Sequence, residues 1–130
     1  MTEGKVPEGL RYAKSHEWVR IEGDTMTLGI SDHAQSELTD IVFVDLPAAG
    51  KVILQGGGVL LLESVKTVAD VYSPANATVL EANADLKTHP ELINQDPYGR
   101  GWLVRLKVTG PLDPGLLDAA GYRAFLAAGA

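Results

Sequence analysis

Short apolar segments separated by turn residues run through the chain, and this pattern constrains the fold more than any other feature. Residues 17–21 and 25–30 alternate between apolar and polar side chains, and Gly23 and Asp24 between them are typical of a tight hairpin turn. Further strands are predicted at residues 40–46, 52–54, 59–65, 67–72, 78–81 and 102–108. Many short strands with regularly spaced turns indicate a mostly β protein, a sandwich or flattened barrel with small helices at its edges.

Three helical segments are predicted beside these strands. Ser31 is suited to cap a short helix that runs to Leu38. The run from Thr88 to Glu91 matches a capping box, which predicts a second short helix to about residue 94. The i, i+4 spacing of Leu and Ala predicts a third helix from residue 112, broken at Gly121 and resumed over 122–128. We therefore expect one domain over residues 1–130, with a β core at about 11–110 and a C-terminal helical segment at about 112–128.

The composition excludes several classes of function. With 11 Lys and Arg against 17 Asp and Glu, the 130-residue chain has a formal charge of −6 and lacks the basic surface that nucleic acids or anionic membranes require. No stretch is apolar enough to cross a membrane and no targeting segment is seen, so we expect a soluble, cytoplasmic protein. There is no cysteine, and the three histidines lack metal-site spacing. Covalent chemistry would therefore need a reactive group supplied from outside the chain.

The segment around Lys66 breaks the local rules for a hairpin turn. Strands are predicted on both sides of it, yet Val65 and Thr67 disfavour positive φ, and the turn contains no Gly, Asn or Pro. Such breaks tend to mark functional sites. From the pattern alone, Lys66 is either an ordinary solvent-exposed lysine or a lysine presented at a protruding turn to a modifying enzyme.

Several segments resemble the glycine cleavage system H proteins, in the same order along the chain. They are Ser15-His-Glu-Trp, Gly29-Ile-Ser-Asp-His-Ala-Gln, Asp40-Ile-Val-Phe-Val-Asp-Leu-Pro, Glu63-Ser-Val-Lys-Thr-Val-Ala-Asp-Val-Tyr-Ser-Pro and Pro90-Glu-Leu-Ile-Asn-Gln-Asp-Pro-Tyr-Gly-Arg-Gly-Trp-Leu. The resemblance runs from about residue 11 to the C-terminal segment. It implies a single lipoyl-carrier domain with a barrel-sandwich hybrid fold. The residues beside Lys66 argue against the related biotin carriers, which usually place methionines there.

The resemblance implies a non-catalytic carrier with lipoic acid joined to Lys66 by an amide bond. In the family, a pyridoxal-phosphate glycine decarboxylase loads the arm with the aminomethyl group of glycine. An aminomethyltransferase then removes this group, and dihydrolipoamide dehydrogenase reoxidises the reduced arm. A lipoylating enzyme is the fourth implied partner, and we expect the carrier to be a monomer. A borrowed dithiolane would supply the sulfur chemistry that a cysteine-free chain lacks.

The loaded arm in this family folds back against the carrier, which nominates residues for a docking cleft. The matching positions are Ser15, Glu17 and Asp70. Glu37, on the predicted short helix, is added for its carboxylate, although the family often has another residue there. These groups suit the arm because a buried cationic amine needs carboxylate or hydroxyl partners. For each of them the alternative is an ordinary exposed polar residue.

Glu63 and Ser64 flank the turn and are candidates for recognition by the lipoylating enzyme. Two other functions remain open from the sequence. The first is a lipoyl relay or storage protein that passes lipoate to 2-oxoacid dehydrogenases. The second is a stand-alone enzyme, which is disfavoured because no set of nucleophile, base and orienting group is present. The acidic charge either docks the carrier on basic partners or only keeps it in solution.

Overall fold

The computed structural model describes residues 5–129, which form mainly antiparallel strands. The strands are β1 (Arg11–Tyr12), β2 (Glu17–Glu22), β3 (Thr25–Ile30), β4 (Ile41–Asp45), β5 (Val52–Ile53), β6 (Gly58–Ser64), β7 (Val68–Tyr72), β8 (Ala77–Ala82) and β9 (Val104–Val108). The helices are α1 (Asp32–Leu38), a 3₁₀ turn (Ala84–Lys87), α2 (Leu92–Gln95) and α3 (Ala119–Ala127).

The strands form two sheets. The larger sheet has the order β1-β2-β3-β9-β8-β5, and the smaller one has the order β4-β6-β7. Glu22 pairs with Thr25 across the β2–β3 turn, where Gly23 supplies a φ of 64°. In the smaller sheet Glu63 pairs with Val68, so residues 65–67 connect β6 to β7. Both predicted hairpins are therefore confirmed, and the second one carries Lys66 at its end.

The main hydrophobic core draws side chains from both sheets. Met26 and Leu28 on β3, Leu106 on β9 and Leu62 on β6 are fully buried in it. Because side chains alternate along a strand, the neighbours of Leu62 on β6 point to solvent. The Lys66 hairpin thus packs on the core by one face while its turn projects away. The prediction of a mostly β fold with short helices and a C-terminal helix is confirmed.

A second apolar cluster holds α3 against β1 and β2. The rings of Tyr12 and Tyr122 stack with centroids 4.6 Å apart and an interplanar angle of 4°. Trp18 is fully buried beside them, and its indole N–H donates to the Pro97 carbonyl at 2.9 Å. A Cβ on Gly29 would lie 2.5 Å from the Trp18 ring, so only glycine fits opposite this tryptophan. The C-terminal helix is therefore an integral part of the fold.

The start of the C-terminal helix differs from its prediction. The α3 helix begins at Ala119, and the stretch from residue 112 to 118 forms turns and an isolated bridge between Leu117 and Tyr12. Pro114 explains this, because a proline disfavours helical geometry in the residue before it. Gly121 lies inside the helix instead of breaking it, since its N–H donates to the Asp118 carboxylate at 2.8 Å as part of the N-cap.

The capping box predicted at residues 88–91 is also wrong. The Thr88 hydroxyl donates to the carbonyl of Asp85, which ends the preceding 3₁₀ turn. The helix α2 begins only at Leu92, and Glu91 makes no side-chain capping bond. Strand β1 was absent from the prediction because two residues are too short to show a period. None of the helices of residues 5–129 combines the length and hydropathy that a membrane crossing requires.

Candidate functional site

The turn that carries Lys66 is built by the serine that precedes it. The Ser64 hydroxyl oxygen accepts the backbone N–H of Lys66 at 3.1 Å and that of Thr67 at 3.0 Å. The backbone N–H of Ser64 donates to the Thr67 carbonyl at 2.8 Å and closes the turn. None of residues 65–67 has a positive φ. Ser64 thus replaces the glycine or asparagine that a tight turn usually needs.

Lys66 is exposed at the end of the hairpin, beside the last turn of α1. Its Nζ atom donates a long hydrogen bond of 3.4 Å to the backbone carbonyl of Glu37. A cation is favoured at this position because the carbonyl groups at a helix C-terminus carry partial negative charge. Val65 is 67% exposed, so the turn offers an apolar side chain to solvent next to the amine. The lysine is therefore accessible to another protein and lies close to the helix that carries Glu37.

A cavity of about 350 Å³ opens between this helix and the Lys66 hairpin. The structure places all four residues predicted for the cleft around it: Ser15, Glu17, Glu37 and Asp70. The other lining residues are His16, Ile30, His33, Ala34, Leu38, Leu62, Ala69 and Val71. Most of the wall is apolar, whereas three carboxylates contribute the negative charge. Such a cavity suits an apolar chain that ends in a cation. That these residues contact an arm stays a prediction.

Glu17 is the buried member of this set, with 3% of its surface exposed. One carboxylate oxygen accepts the hydroxyl of Ser15, and the other accepts the backbone N–H of Tyr72 on β7 at 2.9 Å. Burial raises the pKa of the Glu17 carboxyl, while the bonds from Ser15 and Tyr72 oppose that rise. Glu17 therefore links the segment before β2 to the hairpin that carries Lys66.

The remaining predicted residues lie outside the cavity. Glu63 is exposed on β6 opposite Phe43 and Val68, which are 52% and 57% exposed. Ser64 is half-buried and shapes the turn, a structural role that was not predicted for it above. Whether either residue is read by a lipoylating enzyme stays a prediction.

Sequence reasoning missed the part that the two histidines play in the cavity wall. His16 has a φ of 77°, a left-handed conformation that costs a non-glycine residue about 1–2 kcal/mol. Its ring lies 4.6 Å from that of His33, and its Nδ1 atom lies 2.7 Å from the Tyr122 hydroxyl. Burial and the nearby His33 lower the pKa of His16, while Glu37 raises it. A strained residue at a cavity wall points to a functional constraint, but no local sequence signal marks it.

The side chains around the cavity offer apolar surface and charged binding groups. Within residues 5–129, no group of three or more His, Asp and Glu side chains is arranged to hold a metal ion. The apolar wall and the carboxylates of Glu17, Glu37 and Asp70 can bind a flexible apolar chain that ends in a cation. That Lys66 is a point of attachment for a group that this cavity receives stays a prediction.

Comparison with known proteins gives one consistent family. The family model described as glycine cleavage H-protein matches residues 10–128. The chain is 52% identical to the glycine cleavage system H protein of Laribacter hongkongensis over 119 residues, which is 90% of this chain and 94% of that one. It is 50% identical to the protein of the same name from Symbiobacterium thermophilum over 121 residues, covering 92% and 94% of the two chains.

A solved structure agrees with these sequence matches. The crystal structure of a glycine cleavage system H protein from Mycobacterium marinum superposes with a TM-score of 0.87 at 34% sequence identity. The match covers 94% of this chain and 99% of that one.

Proposed function

The chain belongs to the glycine cleavage H-protein family, and we propose that it carries lipoic acid on Lys66 and shuttles the aminomethyl group of glycine between enzymes. Proteins of this family are non-catalytic lipoyl carriers of the glycine cleavage system, so the chain is a carrier rather than an enzyme. The attachment residue, the group carried and the individual partners are the content of the proposal.

The observation that supports the proposal is the position of Lys66. It lies at an exposed hairpin turn whose backbone is fixed by Ser64, and its Nζ contacts the helix that borders the cavity. A bound lipoyl group supplies a disulfide that accepts electrons and carries a one-carbon unit, chemistry absent from a chain without cysteine. From this turn, a chain extended from Nζ can either point toward a partner or fold back into the cavity.

In this proposal, different cavity residues contact different parts of the loaded arm. The apolar side chains of Leu38, Leu62 and Val71 exclude water from the methylene chain. Glu17, Glu37 and Asp70 hold the cationic amine, and Ser15 orients Glu17 through its hydroxyl. Excluding water matters because the carried aminomethyl group is sensitive to hydrolysis.

Four enzymes are the proposed partners. The pyridoxal-phosphate glycine decarboxylase loads the carrier, the aminomethyltransferase unloads it, and dihydrolipoamide dehydrogenase reoxidises it. A lipoylating enzyme reads Glu63 and Ser64 when it modifies Lys66. Modification removes one positive charge from a chain that carries −6, which favours brief docking on basic surfaces. The carrier is proposed to work in the cytoplasm as a monomer, with residues 1–130 acting as one carrier domain.

Reconstitution of glycine–bicarbonate exchange with the decarboxylase tests this function. The lipoylated chain should support exchange, while the unmodified chain and the Lys66→Arg variant should not. A chain that is lipoylated yet inert with the decarboxylase would refute the shuttle and support the relay or storage alternative. Exchange that persists with the unmodified chain in the absence of lipoate would contradict the carrier assignment.

A further inference from the structure

We propose that the Tyr122 hydroxyl is a positioning group for the arm cavity, because it fixes the segment around His16 against the start of α1. The inference rests on the proposed function, in which this cavity receives the arm of Lys66. Tyr122 belongs to the C-terminal helix α3 and does not line the cavity itself. It therefore acts through other residues.

One hydroxyl joins two of the elements that border the cavity. The Tyr122 oxygen lies 2.7 Å from Nδ1 of His16 and 2.8 Å from Oγ of Ser31. Ser31 is the N-cap of α1, and its Oγ also accepts the backbone N–H of Ala34 at 3.1 Å. His16 stands between Ser15 and Glu17 in sequence. The hydroxyl thus sets the spacing between the Ser15 and Glu17 side of the cavity and the helix side.

The link is buried at Ser31 and partly buried at His16. Tyr122 and Ser31 are both fully buried. Burial raises the pKa of Tyr122 to about 12, which keeps its proton in place. A protonated hydroxyl donates to one partner and accepts from the other, so both bonds form at once. The Tyr122 ring is held independently by stacking on Tyr12.

The residue that this link restrains is the strained one. His16 keeps its φ of 77° through backbone bonds to Ala13 and Ser31 and through its ring bond to Tyr122. A strained backbone conformation persists only where several surrounding contacts hold it in place. Removing the hydroxyl leaves the two backbone bonds and frees the ring. We expect the adjacent Glu17 to lose its fixed position relative to Tyr72 as a result.

The test compares Tyr122→Phe with the matched control Tyr12→Phe. Both substitutions remove one hydroxyl from the same pair of stacked, buried rings, but among residues 5–129 the Tyr12 hydroxyl bonds the Pro7 carbonyl alone, and Pro7 does not line the cavity. Amide hydrogen exchange of the lipoylated protein measures how firmly the cavity wall is held. The two informative groups are the Ser31 N–H, which donates to the His16 carbonyl, and the Tyr72 N–H, which donates to the Glu17 carboxylate. We expect several-fold faster exchange at both sites in Tyr122→Phe and wild-type exchange in Tyr12→Phe.

A second readout follows the loaded carrier in the absence of aminomethyltransferase. Hydrolysis of the carried group consumes one water, returns the sulfur to a thiol and releases formaldehyde and ammonium. The released formaldehyde should appear several-fold faster from Tyr122→Phe than from the wild type or Tyr12→Phe. A purely structural role for Tyr122 would lower thermal stability without changing the ratio of these rates at temperatures where the variants are fully folded.

The outcomes separate this inference from the proposed function. A wild-type chain that cannot be lipoylated or loaded refutes the proposed function. The inference is refuted, and the proposed function is not, if the wild type loads normally and Tyr122→Phe shows the same amide exchange and formaldehyde release rates as the wild type. If Tyr122→Phe does not fold, the same two measurements are made on Ser31→Gly. This variant removes the Ser31 hydroxyl that bonds Tyr122, while glycine remains a tolerated N-cap for α1. Wild-type exchange and release rates in Ser31→Gly would then overturn the inference.

Discussion

The Lys66 turn and the opposite cavity wall at Glu17 are held in contrasting ways. The turn is exposed, and its Ser64 hydroxyl bonds backbone groups two and three positions further on. At the wall Glu17 is buried, and the bonds join residues far apart in sequence, 55 positions for Glu17 with Tyr72 and 106 for His16 with Tyr122. The turn is thus held mostly by local bonds, apart from the Val65 N–H that donates to the Asp40 carbonyl at 3.0 Å, while the wall exists only when the whole chain has folded.

This difference suits the two tasks of a carrier. A turn held mostly by its own serine would, under the proposed function, be bound by partner enzymes without disturbing the core. A wall tied to β7 and to α3 keeps a fixed shape, as the proposed docking of the arm requires. Substitutions at the wall should therefore destabilise the whole protein, whereas those at the turn should act locally.

The largest effect is expected where the hairpin meets the core. Leu62 is fully buried on β6, so Leu62→Ala should lower the free energy of unfolding by about 2–5 kcal/mol through lost burial and a residual cavity. Its neighbour Leu61 is 38% exposed, and Leu61→Ala should cost below about 1 kcal/mol. Urea denaturation measures both. Equal losses would mean that the hairpin does not face the core as described.

The next effect concerns the buried wall. In Glu17→Ala, the Ser15 hydroxyl and the Tyr72 N–H lose their acceptor, which should cost about 1–3 kcal/mol in the free energy of unfolding. The control is Glu22→Ala at the exposed end of the same strand, with an expected change within about 0.5 kcal/mol. If Glu17→Ala were as mild as its control, the wall would not depend on this carboxylate.

The pH dependence of stability sharpens the same point. Burial raises the folded-state pKa of Glu17 above its ordinary value of 4.5, against the opposing bonds from Ser15 and Tyr72. Between these two pKa values the folded chain retains a proton that the unfolded chain has released. The contribution of Glu17 to stability therefore falls as pH rises through this window, and is constant above it.

Glu17→Gln isolates this effect because an amide does not titrate. The difference in unfolding free energy between variant and wild type should move in favour of the variant as pH rises from about 4.5 through the window. Glu22→Gln corrects for the loss of a carboxylate elsewhere on β2. A difference that moved in favour of the wild type would show that hydrogen bonding outweighs burial at this carboxyl.

The smallest effect is expected at the turn. Ser64→Ala removes the acceptor of two N–H groups, but water can reach both, so the loss should be about 0.5–1 kcal/mol. Amide exchange should rise at Lys66 and Thr67 without rising at Tyr72, and lipoylation should slow. Ser64→Thr retains the hydroxyl and serves as the control. A loss as large as that of Glu17→Ala would break the contrast between turn and wall.

The sequence predicts those parts of the molecule whose signals are local. Alternation and turn residues indicate the β2–β3 and β6–β7 hairpins, and the misfit residues around Lys66 single out its turn. Matching to the family nominated residues that the structure places around one cavity. The contribution of Ser64 to the turn was open to a similar local argument, since serine side chains commonly bond backbone N–H groups nearby.

The remaining features depend on tertiary contacts or on competing local signals. The left-handed φ of His16 is imposed by bonds to Ser31, the N-cap of α1, and to Tyr122 on α3, so no pattern around His16 predicts that conformation. The spacing of leucines and alanines predicted a start for α3 that is too early, at residue 112, because Pro114 disfavours helical geometry there. At residues 88–91 the capping box does not form because the Thr88 hydroxyl bonds the Asp85 carbonyl of the preceding 3₁₀ turn instead.

Intact-mass measurement after expression with lipoate and a lipoylating enzyme tests the central claim most directly. The wild type and Lys51→Arg, which alters another exposed lysine, should each gain one lipoyl group, whereas Lys66→Arg should gain none. A wild type without the adduct, or a Lys66→Arg variant that still carries it, would contradict the assignment of Lys66 as the attachment point of the arm.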